Sequence, residues 1–413
     1  MFYQQQDMTV DGLSYFNLPV LQAVLNGGCA NALGGAYASN YVAGNAFATA
    51  ANVASFGSAA LGNVCGQAAA FDGVTEGVQR YAQLEQETES FAVFAQGTFD
   101  LADDLRLTLG LRYTEEEKKA NQSVYATDFG ARNTTESTNP MTIGLAQGVG
   151  EFTTHYFDSS DDGMTRDEES LTWSANIQWD INEDIMAYAS ASTGFKAGGF
   201  NSFFMGQARG AGVDSNDASF EEEEVITFEI GSKMTLLDGS AELNLAVFQT
   251  EFNDLQASIF SGGTTFEVQN AAKATSRGIE IDGRWRATEK LTVTGSVGWV
   301  DFEFDSFKNQ ACTNDQFSAA RQSAFNAAAT DTDKALISLG YNNGACAAQG
   351  VNDLSGKTSA HTPELSATIA FNYIEQLGDF ELISNLDATY TDDVYRQDDL
   401  DPISLMESQT KVN

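Results

Sequence analysis

The sequence has few basic residues and few histidines, and each shortage excludes a class of function. Lysine and arginine number 21 against 58 aspartates and glutamates, which gives a net charge of −37. Such a charge repels phosphate backbones and anionic lipid surfaces, so it predicts no nucleic-acid partner and no polybasic membrane anchor. His155 and His361 are too few for a histidine-rich zinc site, and no Gly-x-Ser-x-Gly motif is present. We therefore predict that the chain is not an enzyme and uses no cofactor.

Long apolar runs and proline are also scarce. No stretch of about 18 uncharged apolar residues occurs, which excludes a transmembrane α-helix at the level of sequence. The 413 residues are nevertheless 42% hydrophobic and 11% aromatic, too apolar for a disordered chain. Because only 4 prolines stand beside 37 glycines and 28 phenylalanines, the composition favours one large β architecture over several soluble domains.

Apolar and polar residues alternate strictly in many segments. From Leu105 to Tyr113 every odd position is Leu or Tyr, whereas the even positions include Arg106, Thr108 and Arg112. A helix would mix these two sets, but a strand places them on opposite faces, one apolar and one polar. The alternation therefore predicts strands that lie between an apolar phase and water. Five further segments alternate in this way, at 171–181, 241–247, 279–286, 365–373 and 380–390.

The connections between these segments alternate between short turns and long polar stretches. Together they predict about a dozen antiparallel strands, including one near 2–10, an incomplete one at the C-terminus and a short one at 266–270. Tight turns at one end and long loops at the other are typical of an outer-membrane β-barrel, whereas a soluble sandwich has shorter strands. The short turns occupy 102–104, 182–184, 238–240, 288–290 and 377–379, and the longer connections occupy 11–86, 120–167, 198–221, 261–265 and 308–362.

The two ends of the sequence predict a fragment of a longer protein. Residues after Met1 contain neither the basic nor the apolar segment of an export signal. Residues 410–413 have the pattern of a strand that has only begun. In hydrocarbon each unpaired backbone group costs several kcal/mol, so a membrane sheet must close, and we expect neighbouring strands from elsewhere.

Two motifs carry a resemblance to a known family. Residues 194–201 read GFKAGGFN, and the paired glycines allow the chain to leave a strand and begin a loop. This motif and residues 270–283 resemble strand motifs of TonB-dependent receptors, the ligand-gated outer-membrane transporters of Gram-negative bacteria. Residues 107–115 and 222–233 are similar to the same family. The resemblance covers nearly all of 87–413 and keeps the order of the motifs.

The resemblance implies an all-β, antiparallel transmembrane barrel of 22 strands, with an N-terminal plug, in the outer membrane. Residues 1–413 would then form a partial barrel domain without the signal peptide, the plug, the TonB-binding box and the closing strands. The family implies energised uptake of a scarce nutrient, most often a ferric siderophore, with cobalamin, haem and oligosaccharides as alternatives. The implied partners are outer-membrane lipid, the small-molecule ligand, and TonB through the missing N-terminal region. A passive porin-like or structural barrel and a secreted carbohydrate-binding β protein are the competing hypotheses.

Candidate ligand-binding residues lie on the polar face of the strands and in the long connections. Aromatic and charged side chains there could bind a ferric chelate or another polar ligand. The candidates are Arg106, Arg112, Glu242 and Arg284 on strands and Tyr125, Arg132 and Arg209 in connections.

The four cysteines fall in two pairs. Cys29 and Cys65 lie in the first long connection, and Cys312 and Cys346 lie in the last. Two similar separations, each within one loop, favour two local disulfides on the oxidising side of the membrane. Free thiols and a metal pair are the alternatives.

Three other patterns are weaker. The acidic clusters 158–162, 221–224 and 398–401 lack the spacing and central glycine of a calcium loop, so we predict a solvated rim. Residues 350–358 (GVNDLSGKT) exceed the phosphate-loop spacing by one residue and have no flanking strand or helix pattern, which argues against nucleotide binding. The segments 30–70 and 319–329, rich in alanine, glycine and asparagine, predict short helices in loops.

Overall fold

The computed structural model describes residues 2–16, 78–127, 164–201, 218–262, 265–308, 310, 312–327, 329 and 352–413. Within these residues one antiparallel sheet has twelve strands in the order β1-β2-β3-β4-β5-β8-β9-β10-β11-β12-β13-β16, and two short ribbons pair β6 with β7 and β14 with β15. In chain order the strands are β1 (Phe2–Phe16), β2 (Val78–Ala102), β3 (Leu105–Thr127), β4 (Met164–Asn182), β5 (Ile185–Lys196), β6 (Gly199–Phe200), β7 (Ser219–Phe220), β8 (Glu223–Leu236), β9 (Ala241–Gly262), β10 (Thr265–Arg286), β11 (Leu291–Phe307), β12 (Leu365–Leu377), β13 (Phe380–Thr391), β14 (Val394–Tyr395), β15 (Leu405–Met406) and β16 (Gln409–Val412).

In this sheet the apolar side chains are exposed and the polar side chains are half-buried, which is the reverse of the arrangement in a soluble protein. Leu109 and Trp179 point to one face and are 43% and 49% exposed, although neighbouring strands cover both sides of their backbones. Arg106, Thr108 and Arg112 point to the other face and are half-buried. A continuous exposed apolar face on paired strands matches a lipid-facing surface. The predicted barrel-type antiparallel fold is therefore confirmed, and we name the two sides the apolar face and the polar face.

The height of the apolar face agrees with a membrane span. On β4 it extends from Leu171 to Ile181, which are ten residues apart in the strand. At about 3.3 Å per residue and a strand tilt of about 35–45°, this distance corresponds to roughly 25 Å along the membrane normal. The next positions on the same face, Glu169 and Asp167, are exposed and charged. The apolar band therefore ends where the strand leaves the hydrocarbon.

The tight turns lie together at one end of the sheet, which we call the tight-turn end. All five predicted hairpins are confirmed, since β2–β3, β4–β5, β8–β9, β10–β11 and β12–β13 are joined within a few residues. Gly239 and Gly378 adopt φ values of 82° and 65° in two of these turns, a region that glycine enters without steric cost. The opposite end carries the longer connections and is called the long-loop end.

Two predictions for the long-loop end are wrong. β9 continues to Gly262 and β10 begins at its register partner Thr265, so 261, 262 and 265 belong to paired strands instead of a longer polar connection. Residues 266–270 are the first part of β10 instead of a separate strand. The register of β10 shifts between Asn270 and Ala272 and again before Ala274. These irregularities break the apolar alternation, so the sequence pattern splits one strand into two segments.

Strands β1 to β4 also reach further towards the long-loop end than the pattern predicts. The structure extends them into the stretches 11–86 and 120–167, which were predicted to be loops. Above the apolar band the apolar face gives way to charged residues such as Glu87 and Glu89, whereas the other face carries both the polar Thr88 and the buried Leu84. Without an apolar face the period of two is no longer visible.

One α-helix is present in the described residues, α1 (Asn314–Ala327), in the connection between β11 and β12. It confirms the short helix predicted around 319–329. The alanine-rich segment 30–70 lies outside the described residues. In the described ranges no helix is both long and apolar enough to cross a membrane.

Candidate functional site

The sheet has a notch at its long-loop end. β5 pairs with β4 only as far as Ser174, although β4 begins at Met164. On the other side β8 pairs with β9 only as far as Asn253, although β9 continues to Gly262. The longer strands on the two sides of this notch, β2–β4 and β9–β10, are called the tall strands. Residues 197–201 and 218–222, which include β6 and β7, contact the tall strands on both sides. We call these two segments the ribbon.

Charged side chains of β3 and β4 hold the ribbon at the Gly198 peptide. The Gly198 N–H donates to both carboxylate oxygens of Glu168, at 2.9 and 3.0 Å. The Gly198 carbonyl accepts a hydrogen bond from Lys118 Nζ at 2.5 Å. Arg166 Nε lies 2.5 Å from Glu168 Oε1, and Arg166 Nη2 donates to Glu221 in the second ribbon segment. The side chains of Arg166 and Glu168 are only 13% and 6% exposed, so this charged cluster is largely removed from water.

Amide side chains hold the opposite side of the ribbon. Asn201 exchanges two hydrogen bonds with the Val268 main chain, Nδ2 to O at 3.0 Å and Val268 N to Oδ1 at 2.6 Å. Asn270 does the same with Glu221, accepting from its N–H at 2.6 Å and donating to its carbonyl at 2.8 Å. Gln256 Nε2 also donates to the Glu221 carbonyl at 3.0 Å. These amides reproduce the donor and acceptor pattern of a β ladder where the sheet itself is interrupted.

An apolar cluster completes the contact between the ribbon and the tall strands. Phe200 and Ala218 of the ribbon pack with Leu84, Ala120 and Met164 of β2, β3 and β4. All five side chains are buried. The cluster lies on the polar face of the sheet, so here the wall is covered by the chain's own residues.

The two glutamates at the end of the ribbon have pKa values shifted in opposite directions. The hydrogen bond from Arg166 holds the pKa of Glu221 below its usual value. Burial raises the pKa of Glu222, and the nearby carboxylates of Glu168 and Glu224 raise it further. Within the described part of the chain, Glu222 Oε2 is buried without a hydrogen-bond partner. Arg166 therefore offsets part of a local excess of carboxylate charge. Glu222 is half-buried with one enclosed carboxylate oxygen, so the predicted solvated rim at 221–224 does not hold for that oxygen.

An aromatic cluster lies on the polar face further along the sheet. The Phe302 and Phe304 rings are 5.1 Å apart and near perpendicular, and the Phe304 and Phe307 rings are 5.0 Å apart. Residues after α1 return to this cluster, because Leu354 N–H donates to the Phe307 carbonyl at 2.8 Å and Gly356 N–H to the Phe304 carbonyl at 2.7 Å. Leu354 is buried together with Phe304 and Phe307, so this part of the connection between β11 and β12 packs against the aromatic cluster.

A second loop packs against this connection. Gln310 Nε2 and Asn352 Nδ2 donate to the main-chain carbonyls of Asp398 and Asp399, at 3.2 and 2.9 Å. Burial raises the pKa of Asp399. Asp401 is 1% exposed, and its carboxylate accepts the Ile403 N–H at 3.0 Å. The predicted solvated rim at 398–401 is therefore wrong for Asp401, which caps a short turn.

The predicted ligand-binding residues on the strands do not all lie at the same place. Arg106 Nη2 lies 2.6 Å from Asp180 Oδ2 near the tight-turn end. Glu242 and Arg284 are register partners at the same end. A polar pocket of about 470 Å³ there is lined by Asp180 and Glu242 among others. Three of the candidates thus lie at or beside one pocket, at the opposite end from the ribbon.

The remaining candidates lie elsewhere. Arg112 Nε donates to Thr114 Oγ1 at 2.9 Å on the polar face. Tyr125 belongs to β3, where its backbone pairs with Tyr81. Arg132 and Arg209 lie outside the described residues. The ligand-binding role of all seven candidates stays a prediction.

Sequence reasoning missed the residues that hold the ribbon. It singled out the glycines and Asn201 of the motif 194–201, and Asn270, but not Lys118, Arg166 and Glu168. The available signal was a run of charge, 115–119 and 166–169, in which both faces of the strand are polar. Such a run gives no indication of which charges turn inward.

Cys312 is disulfide-bonded, and the described residues contain no free cysteine. Cys29, Cys65 and Cys346 lie outside the described residues, so both pairings stay predictions. Among described residues, no group of three or more His, Cys, Asp or Glu side chains could hold a metal ion.

Comparison with known proteins identifies the family. The chain is 22% identical over 241 residues to the probable TonB-dependent siderophore receptor PiuA of Acinetobacter baumannii, covering 57% of this chain and 28% of PiuA. It is 25% identical over 173 residues to the catecholate siderophore receptor Fiu of Escherichia coli K12, covering 42% of this chain and 21% of Fiu. The crystal structure of the ferric yersiniabactin uptake receptor FyuA from Yersinia pestis matches its fold with a TM-score of 0.53 at 15% identity, over 81% of this chain and 42% of FyuA. The chain thus spans less than half the length of each of these relatives. The family model for the TonB dependent receptor-like β-barrel matches residues 3–409, and the chain therefore belongs to that family.

Proposed function

We propose that the protein containing this chain is an outer-membrane receptor that takes up a ferric siderophore with energy supplied through TonB. The observation that carries the proposal is the family match over residues 3–409. PiuA, Fiu and FyuA, whose names describe siderophore receptors or uptake, support the choice of ligand class. Its partners are then outer-membrane lipid, TonB and the ferric chelate, and no catalytic role is assigned.

The shape of the described sheet supports a location in the outer membrane. An apolar band of roughly 25 Å with tight turns at one end and long connections at the other fits that membrane. The candidates Arg106, Arg112, Glu242 and Arg284 lie on the polar face, Tyr125 belongs to β3, and Arg132 and Arg209 lie outside the described residues. We propose ligand contacts from all seven.

A passive porin-like or structural barrel is the second candidate function. An open pore requires an unobstructed polar face, whereas here Phe200 of the ribbon and Leu354 of the connection after α1 pack in buried clusters on that face. This covering favours a receptor over an open pore. Cobalamin, haem and oligosaccharides are the alternative ligands.

Uptake by the complete protein tests the proposal. In a Gram-negative host that lacks its own ferric-siderophore receptors, we expect accumulation of siderophore-bound radioactive iron. Accumulation should stop when TonB is deleted or the proton gradient is collapsed. Accumulation that persists without TonB would support the passive barrel, and uptake of cobalamin, haem or glycans alone would replace the ligand class.

We also propose that Cys29 bonds to Cys65 and Cys312 to Cys346. The oxidised, denatured protein should then show no reactive thiol, and full reduction should release four. In the chain-entropy model each bond stabilises its loop by about 3–4 kcal/mol. Four reactive thiols before reduction would refute both pairings, and peptide mapping of the oxidised protein distinguishes the pairings from other connectivities.

A further inference from the structure

We propose that Lys290 and Glu375 form a binding site for a phospholipid whose headgroup carries a phosphate and a primary ammonium, as in phosphatidylethanolamine. The phosphate binds to Lys290 and the ammonium to Glu375. The site lies at the tight-turn end of the apolar face, so the inference rests on the membrane location in the proposed function and not on the ligand that is taken up.

Glu375 interrupts the apolar face of β12. Tyr373 and Leu377, the positions before and after it on the same face, are both exposed. Phe380 of β13 is the register partner of Leu377 and is 78% exposed. Apolar side chains therefore continue past Glu375 towards the tight turn, and the carboxylate lies within the lipid-facing surface instead of beyond its end.

Three hydrogen bonds hold the Glu375 carboxylate in place. Lys290 Nζ donates to Oε1 at 2.7 Å and to Oε2 at 2.8 Å, and the Tyr373 hydroxyl donates to Oε2 at 2.6 Å. The backbone of Lys290 is fixed as well, because its carbonyl accepts the Ile374 N–H at 2.9 Å. Among the ion pairs of the described residues, this is the one on the apolar side at the tight-turn end.

The pair retains one donor and one acceptor for an outside partner. An ammonium has three N–H donors, of which Lys290 uses two, and a carboxylate has about four acceptor positions, of which Glu375 uses three. The Lys290 side chain is still 51% exposed. A partner that fits carries a hydrogen-bond acceptor of negative charge beside a donor of positive charge, as a zwitterionic headgroup does.

The surroundings of the pair select among the headgroups. The short turns of an outer-membrane barrel lie on the periplasmic side, where the lipid-facing surface meets phospholipid headgroups. Glu289 precedes Lys290 in the turn, so carboxylates outnumber bases here, which disfavours a headgroup with only negative charge. A primary ammonium can donate to Glu375, whereas the trimethylated ammonium of phosphatidylcholine has no N–H group. We therefore expect phosphatidylethanolamine to bind in preference to phosphatidylglycerol and phosphatidylcholine.

Lipid retention by the complete protein tests the site. The protein is reconstituted into vesicles of equal parts phosphatidylethanolamine, phosphatidylglycerol and phosphatidylcholine with the same acyl chains, extracted in mild detergent, and its bound lipids are counted by native mass spectrometry. We expect phosphatidylethanolamine to be retained about fivefold over either other lipid, the factor that corresponds to one exposed charge interaction. Glu375→Gln and Lys290→Gln should each remove this preference, and Lys290→Arg, which retains the charge, should keep it.

Asp104→Asn is the matched control. Asp104 is a carboxylate at the same end of the sheet, but it accepts the Trp179 indole N–H at 3.1 Å and forms none of the ion pairs in the described residues. Its replacement should leave the lipid preference unchanged, and loss of the preference in this variant would overturn the site. Equal retention of the three lipids by the wild type, or an unchanged preference in Glu375→Gln, would do the same. Enrichment of phosphatidylglycerol would overturn the role of the ammonium.

The wild-type protein provides a second test that does not depend on the folding of a variant. Phosphatidylethanolamine with one or two N-methyl groups still has an N–H donor, whereas the third methyl group removes the last one. Retention should therefore fall at the third methyl group. Equal retention across this series would overturn the hydrogen bond to Glu375.

The lipid measurements separate this inference from the proposed function, because they need no siderophore. A protein that takes up a ferric chelate but retains the three lipids equally would refute the lipid site alone. A protein that prefers phosphatidylethanolamine but takes up no ferric chelate would refute the ligand class alone.

Discussion

Replacing Leu109 by arginine is expected to destabilise the barrel by about 2–4 kcal/mol, the cost of a basic side chain near the bilayer midplane. Leu109 is 43% exposed on the apolar face and lies between Gly97 and Ala175 of the neighbouring strands. Ala175 is near the middle of the band from Leu171 to Ile181, so an arginine at 109 has no short route to water. Equilibrium unfolding of the complete protein from lipid bilayers in denaturant measures the change.

Thr108→Arg is the matched control for this substitution. Thr108 lies on the polar face, where Thr98 Oγ1 is 3.0 Å from its hydroxyl oxygen and Arg106 is on the same face. We expect a loss of about 1 kcal/mol, the contribution of one hydrogen bond. Equal and small losses for Leu109→Arg and Thr108→Arg in a detergent-free soluble form would contradict the membrane assignment.

Gly278→Ala is expected to destabilise the barrel by about 1–3 kcal/mol, because it overpacks a site that has no space for a side chain. A Cβ at position 278 would lie 2.6 Å from Phe248 Cε1 and 2.8 Å from the Trp299 carbonyl oxygen. Phe248 is the register partner of Gly278 in β9, so its ring covers the glycine from the next strand. The loss should appear in the same unfolding measurement.

Gly298→Ala provides the control in the adjacent strand β11. No atom lies within 4 Å of a Cβ built at position 298. Alanine there restricts the unfolded chain, so we expect an unchanged or slightly higher stability, by up to about 1 kcal/mol. If Gly278→Ala and Gly298→Ala have the same effect, Phe248 does not lie over Gly278.

The hairpins could be predicted from the sequence because the membrane imposes a pattern on every strand that crosses it. Leu109 and Arg112 fall on opposite faces in the structure, as the alternation predicts. The turns at Gly239 and Gly378 likewise combine a break in the alternation with a residue that tolerates positive φ. Where β1 to β4 extend beyond the band, the face that continues the apolar band carries charged residues such as Glu87 and Asp167, so the strand limits could no longer be predicted.

The candidate site was predicted only in part. The motif 194–201 marked where a strand becomes a loop, but the partners of Gly198 lie 30 and 80 residues away, in Glu168 and Lys118. No local pattern selects one carboxylate among the charged positions of β4. The pairing depends on the register between β3 and β4, which brings Lys118 opposite Arg166.

The sequence by itself determined the antiparallel strands, the five tight turns and the two faces. The alternation of apolar and polar residues, and the turn that interrupts it, depend only on residues that are close together in the sequence. Only the tertiary structure decided that Asn201, Asn270 and Glu168 fasten the ribbon across the notch, and that Asp401 is buried. These contacts join distant parts of the chain. Their strength depends on which charges lose contact with water, and that follows from how the strands are placed in space.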